Sequence, residues 1–273
     1  MTINNTSSSL KVFKGEDSPY GIMAKNVDLQ SIAIPEMPEQ KADKVVTLNK
    51  TGFMKTELDP FTLKFIEHAK TLSIPVLEIG ASYGPASLPA LKNNSIVIAN
   101  DIDEMHLAIL CNNTPKEYLK NLYLKLGYFP YEIDFPENSL GAVLVCRIAH
   151  FLNGEEIEAG LKKIYKWLVP GGKLYFVTLS PYHNLLKDKF LPIYESRLNN
   201  GDKWPGLINN MRELNPSEAE DIPNFLHVFE EQAIKNKLIE QGYEIKELIT
   251  FDYGSDPSDG RGYLGFEATK PHH

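Results

Sequence analysis

Glu78, Gly80, Ala81, Ser82 and Gly84 fall in VLEIGASYGPASLPA (76–90), an apolar run closed by an acid and followed by a turn almost bare of side chains. Such a turn has two readings. It is a tight connection that happens to be small, or a backbone left open so that a ligand can approach and its N–H groups can donate. Asp101, in ANDIDEM, comes 101 − 78 = 23 residues after Glu78, with Ile102 beside it. A carboxylate at that point can accept both hydroxyls of a ribose. Further on, CRIAHFL carries Arg147, able to pair with a ligand carboxylate or reach Glu78, and His150, whose imidazole can move a proton near neutrality. His183 and His227 are weaker candidates of the same kind, each read first as a surface or packing histidine.

Other groupings carry less chemistry. Asp252, Asp256 and Asp259 in DYGSDPSDG lack the ligand spacing of a twelve-residue calcium loop and read as a hairpin turn. Asp103 and His106 lie one helical turn apart but would need further ligands to hold a metal, so no metal site is expected. Cys111 and Cys146 show no paired spacing, which argues against structural zinc and against a disulfide framework.

The elements that must position these residues alternate. PVLEI, SIVIAN, NLYLKL, GAVLVCR and GKLYFVT are short strand-like runs separated by segments long enough for helical crossovers, the rhythm of a parallel sheet covered on both faces. In such a sheet, ligands settle beyond the carboxyl ends of the strands, where the candidate residues fall. The clearest helix is predicted over 155–168, with Asn153 and Glu156 in capping-box register and Ile157, Leu161, Ile164 and Leu168 on one stripe; PGGK ends it. EEQAIKNKLIEQGYEI predicts a later helix and strand, and the chain closes with an antiparallel pair at the sheet edge. Residues 1–50 read as an arm and loosely structured lead-in, partly disordered or a lid, 51–273 as the main domain, and 181–227 as an insert that caps the strand tips.

With 36 acidic against 28 basic residues and a net charge of −8, the chain has no dense basic cluster for a phosphate backbone, so nucleic acid is not an expected partner. The first residues lack the charged start and apolar core of a secretory signal, and no apolar run reaches membrane-spanning length. A soluble, cytoplasmic protein with no membrane partner is expected.

From Asp59 onward the combination of EIGASYG, the strand-two acid, FPENS, the AH pair and LVPGGKL resembles the class I S-adenosylmethionine-dependent methyltransferases. The resemblance implies a doubly wound, mostly parallel seven-stranded α/β sheet with an antiparallel C-terminal edge pair. It also implies S-adenosyl-L-methionine as cofactor. The family's E/D-x-G-x-G-x-G turn and ribose acid map onto Glu78, Gly80, Gly84 and Asp101, and Tyr128 or Phe129 would stack on the adenine. Arg147 would offer its carbonyl to the cofactor amino group. Three positions depart from the family pattern: Ser82 replaces a middle glycine, Tyr128 an acid after strand three, and Gly141 the acid of the usual nSFD. A nicotinamide site fits less well, because GASYGP breaks G-x-G-x-x-G at Ser82 and Pro85.

The activity implied is methyl transfer to a small organic acceptor with an oxygen or nitrogen nucleophile; a protein acceptor is the variant reading. His150 is the expected base, and Tyr182, Tyr194, Trp204 and Phe225 are expected to line the acceptor pocket, with Phe53 and Met54 closing from the other side. A cofactor-binding protein without transfer activity is the alternative that the three departures favour.

Overall fold

The computed structural model describes residues 13, 17–216, 220, 222–255 and 257–272. The N-terminal part supplies β1 (Ile22–Met23) and a small antiparallel sheet of β2 (Gln40–Lys41), β3 (Lys44–Val46) and β4 (Phe53–Lys55). Then come α1 (Pro60–Ala69), β5 (Val76–Ile79), α2 (Ser87–Lys92), β6 (Val97–Asp101), α3 (Glu104–Asn113), β7 (Leu122–Leu126), β8 (Leu140–Cys146), α4 (Gly154–Trp167) and β9 (Leu168–Leu179). The insert holds α5 (Asn184–Lys187), α6 (Leu191–Asn199), β10 (Leu207–Ile208), α7 (Met211–Leu214) and β11 (Leu226–His227). The chain returns through α8 (Glu231–Glu240), β12 (Glu244–Phe251) and β13 (Tyr263–Thr269).

The main sheet runs β1-β7-β6-β5-β8-β9-β13-β12. From β7 to β9 its strands are parallel, and β13 lies antiparallel between β9 and β12. These are the seven strands of the expected fold class. An eighth was not expected: β1 pairs antiparallel with β7, Ile22 opposite Leu124 and Met23 opposite Tyr123. A two-residue strand between polar segments leaves no periodic signal to read.

Both faces of the sheet are buried because its strands are apolar at successive positions. Leu77, Val143, Leu174 and Phe176 pack with α4 and α8 on one side, while Val76, Ala142, Leu144 and Tyr175 pack with α1, α2 and α3 on the other. The insert has a small core of its own, built on Leu186, Phe190, Tyr194, Ile208 and Met211. No helix among the described residues is long and apolar enough to cross a membrane.

Two polar devices hold parts that reach the strand tips. Asp43, ahead of β3, takes Lys55 Nζ at 2.6 Å and also accepts from Ser255 N and Oγ at 3.0 and 2.7 Å, fastening the N-terminal sheet to the β12–β13 loop. In that loop Asp252 accepts from the amides of Ser258, Gly260 and Gly262 at 2.7–2.8 Å, which organises the hairpin, while Asp259 pairs with Lys187 at 2.7 Å. Asp256 lies outside the described residues.

The capping box of α4 forms as the sequence predicts: Asn153 Oδ1 accepts from the amides of Glu155 and Glu156 at 2.9 and 3.0 Å, and Glu156 Oε2 accepts from Asn153 N at 2.8 Å. The helix starts at Gly154 and ends at Trp167, where the backbone turns extended and enters β9. Glu156 has a second partner, the Tyr128 hydroxyl at 2.8 Å, so the cap also anchors a residue of the β7 tip. Asn153→Ala is expected to cost about 1 kcal/mol of folding free energy. Urea denaturation checks this, and an unchanged midpoint would show that the cap contributes nothing.

Candidate active site

At the tip of β5 the turn from Gly80 to Ala86 is tight because the protein itself fills the space. Gly80 and Gly84 have φ of 70° and 85°, and a Cβ on either would lie 2.1 Å from Ile148 Cδ1 or 2.2 Å from Leu110 Cδ1. Of the two readings of this small-residue turn, close internal packing thus accounts for both glycines. The turn's amides are used internally as well: Ala81 N donates to Asn100 O, Ser82 N to Asp101 Oδ2 and Gly84 N to Ala81 O, each at 2.8 Å. Ala81 is fully buried in the core, and neither it nor Gly84 lines the neighbouring cavity, whereas Gly80 and Ser82 do.

Glu78 is buried behind the turn and accepts from Ser87 N at 2.8 Å and from the Ser87 hydroxyl. It stitches strand β5 to the start of α2. Asp101, 5% exposed, is held from three sides: Ser82 N to Oδ2, and Asp103 N (2.9 Å) and His106 Nδ1 (3.1 Å) to Oδ1. His106 Nε2 accepts from Leu48 N at 3.2 Å, so the ring proton sits on Nδ1 and points at Asp101. Leu48 N also meets the Tyr83 hydroxyl at 3.1 Å, and that hydroxyl donates to Val46 O.

His106, which the sequence offered only as half of an incomplete metal pair, is therefore the partner of the carboxylate. The signal was available: α3 begins beside Asp101, and its first turn brings a residue at that position back toward the β6 tip. Tyr83 and Leu48 had no comparable signal, because their contact joins segments 35 residues apart.

A cavity of about 580 Å³ runs over these tips. Asp101, exposed Ile102 and Tyr128 lie on it at the β6–β7 end. Phe129 also borders it, but its ring packs edge-on to Trp167 at 6.4 Å and belongs to the core. Gly141, the third departure, lies inside β8 and has a packing cause: a Cβ there would lie 2.8 Å from Leu72 Cδ1.

Arg147 and His150 line the cavity at the tip of β8. Arg147 is half-buried with φ of 56°, a conformation uncommon for a side-chain-bearing residue, and its amide donates to Val177 O at 2.7 Å. His150 is buried against Phe151, ring centroids 4.2 Å apart, and burial, with Arg147 and His183 nearby, pushes its imidazole down to about 3. Ser82 Oγ, Arg147 Nε and His150 Nδ1 are buried polar atoms without a hydrogen-bond partner, and all three belong to lining residues. Such atoms are costly unless a ligand or water satisfies them.

His183 reaches the same end of the cavity, where its Nδ1 accepts from Leu185 N at 3.2 Å and caps α5. Phe225, Phe53 and Met54 line the cavity too. The other aromatic candidates do not. Trp204 packs against His227 and Phe229, while Tyr182 and Tyr194 both donate to Glu230, at 3.1 and 2.9 Å. His227 is committed to Leu152 O at 3.0 Å, and burial lowers its imidazole to about 4. Composition could not separate the insert's core-facing rings from its cavity-facing one.

Residues 76–172 match the family model described as a methyltransferase domain. No curated protein matches the sequence. Among solved structures, an S-adenosylmethionine-dependent methyltransferase of Methanosarcina mazei aligns with a TM-score of 0.59 at 16% identity, over 80% of this chain and 100% of that one. A glycopeptide N-methyltransferase complexed with S-adenosylmethionine aligns with a TM-score of 0.53 at 15% identity, over 77% and 86%. The 1,6-didemethyltoxoflavin-N1-methyltransferase of Burkholderia thailandensis, with bound 1,6-didemethyltoxoflavin and S-adenosylhomocysteine, gives 0.54 at 16% identity, over 78% and 77%. At these identities the likeness speaks for the fold, and the matched segment, strands β5 to the start of β9, is the part that carries Glu78, Asp101 and Arg147. Residues 76–172 are thus similar to a methyltransferase domain, and the chain has the fold of S-adenosylmethionine-dependent methyltransferases.

Proposed function

We propose that the protein transfers the methyl group of S-adenosylmethionine to a small organic acceptor. The observation that carries this reading is the single cavity joining Asp101 and Ile102 at one end to Arg147, His150 and the insert at the other, with three partnerless buried polar atoms among its lining residues. Supporting it, two similar structures hold S-adenosylmethionine or S-adenosylhomocysteine.

The residues present fit the cofactor. Asp101 is held rigidly by three donors and keeps acceptor capacity on Oδ2 for ribose hydroxyls. Ile102 and Tyr128 flank the place where an adenine would lie, Tyr128 fixed by its bond to Glu156. Ser82 Oγ, absent from a family turn with glycine here, adds a hydroxyl where the methionine portion would sit. S-adenosylmethionine supplies an electrophilic methyl on a sulfonium, so the chain's task is to align an acceptor and exclude water. The insert does the excluding, through Leu185, Met211, Phe225 and Leu226. His150, neutral and poorly basic in this setting, orients the acceptor by accepting a hydrogen bond at Nδ1.

Calorimetry with S-adenosylmethionine and S-adenosylhomocysteine tests the proposal. Binding of both is expected, weakened about tenfold or more in Asp101→Asn, the loss of a charge-assisted hydrogen bond. Absence of binding to the folded wild-type protein would defeat it.

Glu78 gives a separate prediction, about stability rather than transfer. Burial pushes its carboxyl up to about 7, against the hydrogen bonds from Ser87 and Ala86 and helped by the Asp101 charge. Between the ordinary value of 4.5 and about 7 the folded state binds more protons than the unfolded, so Glu78's contribution to stability falls as pH rises through that window. Glu78→Gln keeps an acceptor for Ser87 and removes the charge. Its melting temperature relative to wild type is expected to be higher at about pH 8 than at about pH 4.5. An identical difference at both pH values would show that the carboxyl titrates normally.

A further inference from the structure

The acceptor end of the cavity contains a cation that the fold leaves unmatched. Arg147 is permanently charged, yet among the described residues it makes no ion pair, and its Nε is buried without a hydrogen-bond partner. Its guanidinium lies 5.9 Å from the Tyr253 ring, a contact that supports the charge from one side but neutralises nothing. Asp59, an acid on the cavity wall beside Cys146, is already committed. Asp59 caps α1, Oδ1 accepting from Phe61 N and Thr62 N at 2.9 Å, Oδ2 from Thr62 Oγ1 at 2.6 Å and Cys146 Sγ at 3.3 Å.

A half-buried arginine whose Nε is sealed off without a partner costs stability unless one arrives from outside. The left-handed backbone at Arg147 adds local strain of the kind found at ligand clamps. Around it, Phe151, Leu179, Leu185, Met211, Phe225 and Leu226 give the cavity apolar walls.

Resting on the methyltransferase reading, we infer that the acceptor is a carboxylic acid with an apolar body, and that Arg147 receives its carboxylate. The planar guanidinium matches a carboxylate in two parallel hydrogen bonds, which fixes an acceptor's orientation as well as its place. His150, one helical step along the same loop, then meets the part of the acceptor beside that anion.

The carboxylate at Arg147 has two possible sources, an acceptor or the methionine portion of the cofactor, and one experiment separates them. Wild type, Arg147→Gln and Arg147→Lys, each saturated with S-adenosylhomocysteine, are titrated calorimetrically with benzoate, 3-phenylpropionate and hexanoate and with the three matching primary amides. At least one carboxylate is expected to bind roughly tenfold or more tightly than its amide, a preference lost in Arg147→Gln and kept in part by Arg147→Lys. The affinity of Arg147→Gln for S-adenosylhomocysteine itself should be unchanged. Three results overturn the inference: no carboxylate preferred over its amide, the preference surviving in Arg147→Gln, or loss of S-adenosylhomocysteine binding in that variant, which would assign Arg147 to the cofactor. Should wild type fail to bind S-adenosylhomocysteine, the methyltransferase reading fails by itself, and the same titrations on the protein alone still read the carboxylate preference.

Discussion

The buried carboxylate of Asp101 is the point on which the candidate site depends. An anion with 5% of its surface exposed is tolerated only where donors replace its water, and here they come from two places, the turn after β5 and the start of α3, with His106 held in turn by Leu48 N of the N-terminal segment. One side chain thus sets the relative positions of the glycine turn, the second strand and the segment that closes over them. Because the donors are fixed before any ligand arrives, a ribose would meet an acceptor already aimed, and little ordering would remain to oppose binding.

The same arrangement explains why the small-residue turn tolerates Ser82 at a family glycine. The turn is not open on all sides. Ile148 and Leu110 occupy the sides where Gly80 and Gly84 lack a Cβ, so those two positions are constrained by packing. Ser82 has φ of 47° and its amide is taken by Asp101, but its side chain belongs to the cavity wall, where a hydroxyl has room. Of the family's three small positions, the two that kept glycine are those the protein's own interior demands.

What the sequence made legible follows from the range of the interactions. Strands β5, β6, β8 and β9, the capped helix α4 and the terminal antiparallel pair announce themselves through local runs and periods, and Asp101 and Arg147 follow because strand ends are where such sheets place ligands. The Asn153 and Glu156 cap is a three-residue signal and was readable for that reason. The second bond of Glu156, to Tyr128, spans 28 residues and was not. Nor was the pairing of β1 with β7, or the commitment of Trp204 to the main core and of Tyr182 and Tyr194 to Glu230, since an aromatic ring has the same composition whether it faces a core or a cavity. His106 lay between these cases: its register toward Asp101 was implicit in the helix start, but its second partner, Leu48, comes from a segment with no periodic pattern.

Charged groups of both signs line the cavity, and those beside His150 bear on how an acceptor would be held. Asp101 stands at the β6 tip and Glu156 at the start of α4, while Arg147, His150 and His183 line the cavity at and beyond the β8 tip. In an apolar enclosure such charges act over several ångströms. Burial is the main cause of the low basicity of His150, and Arg147 is the next. An anion beside Arg147 would offset part of that second effect, while the burial that dominates would remain. On the proposed reading His150 stays a neutral hydrogen-bond acceptor with the anion seated, so Arg147 would govern the acceptor's placement and the imidazole its orientation.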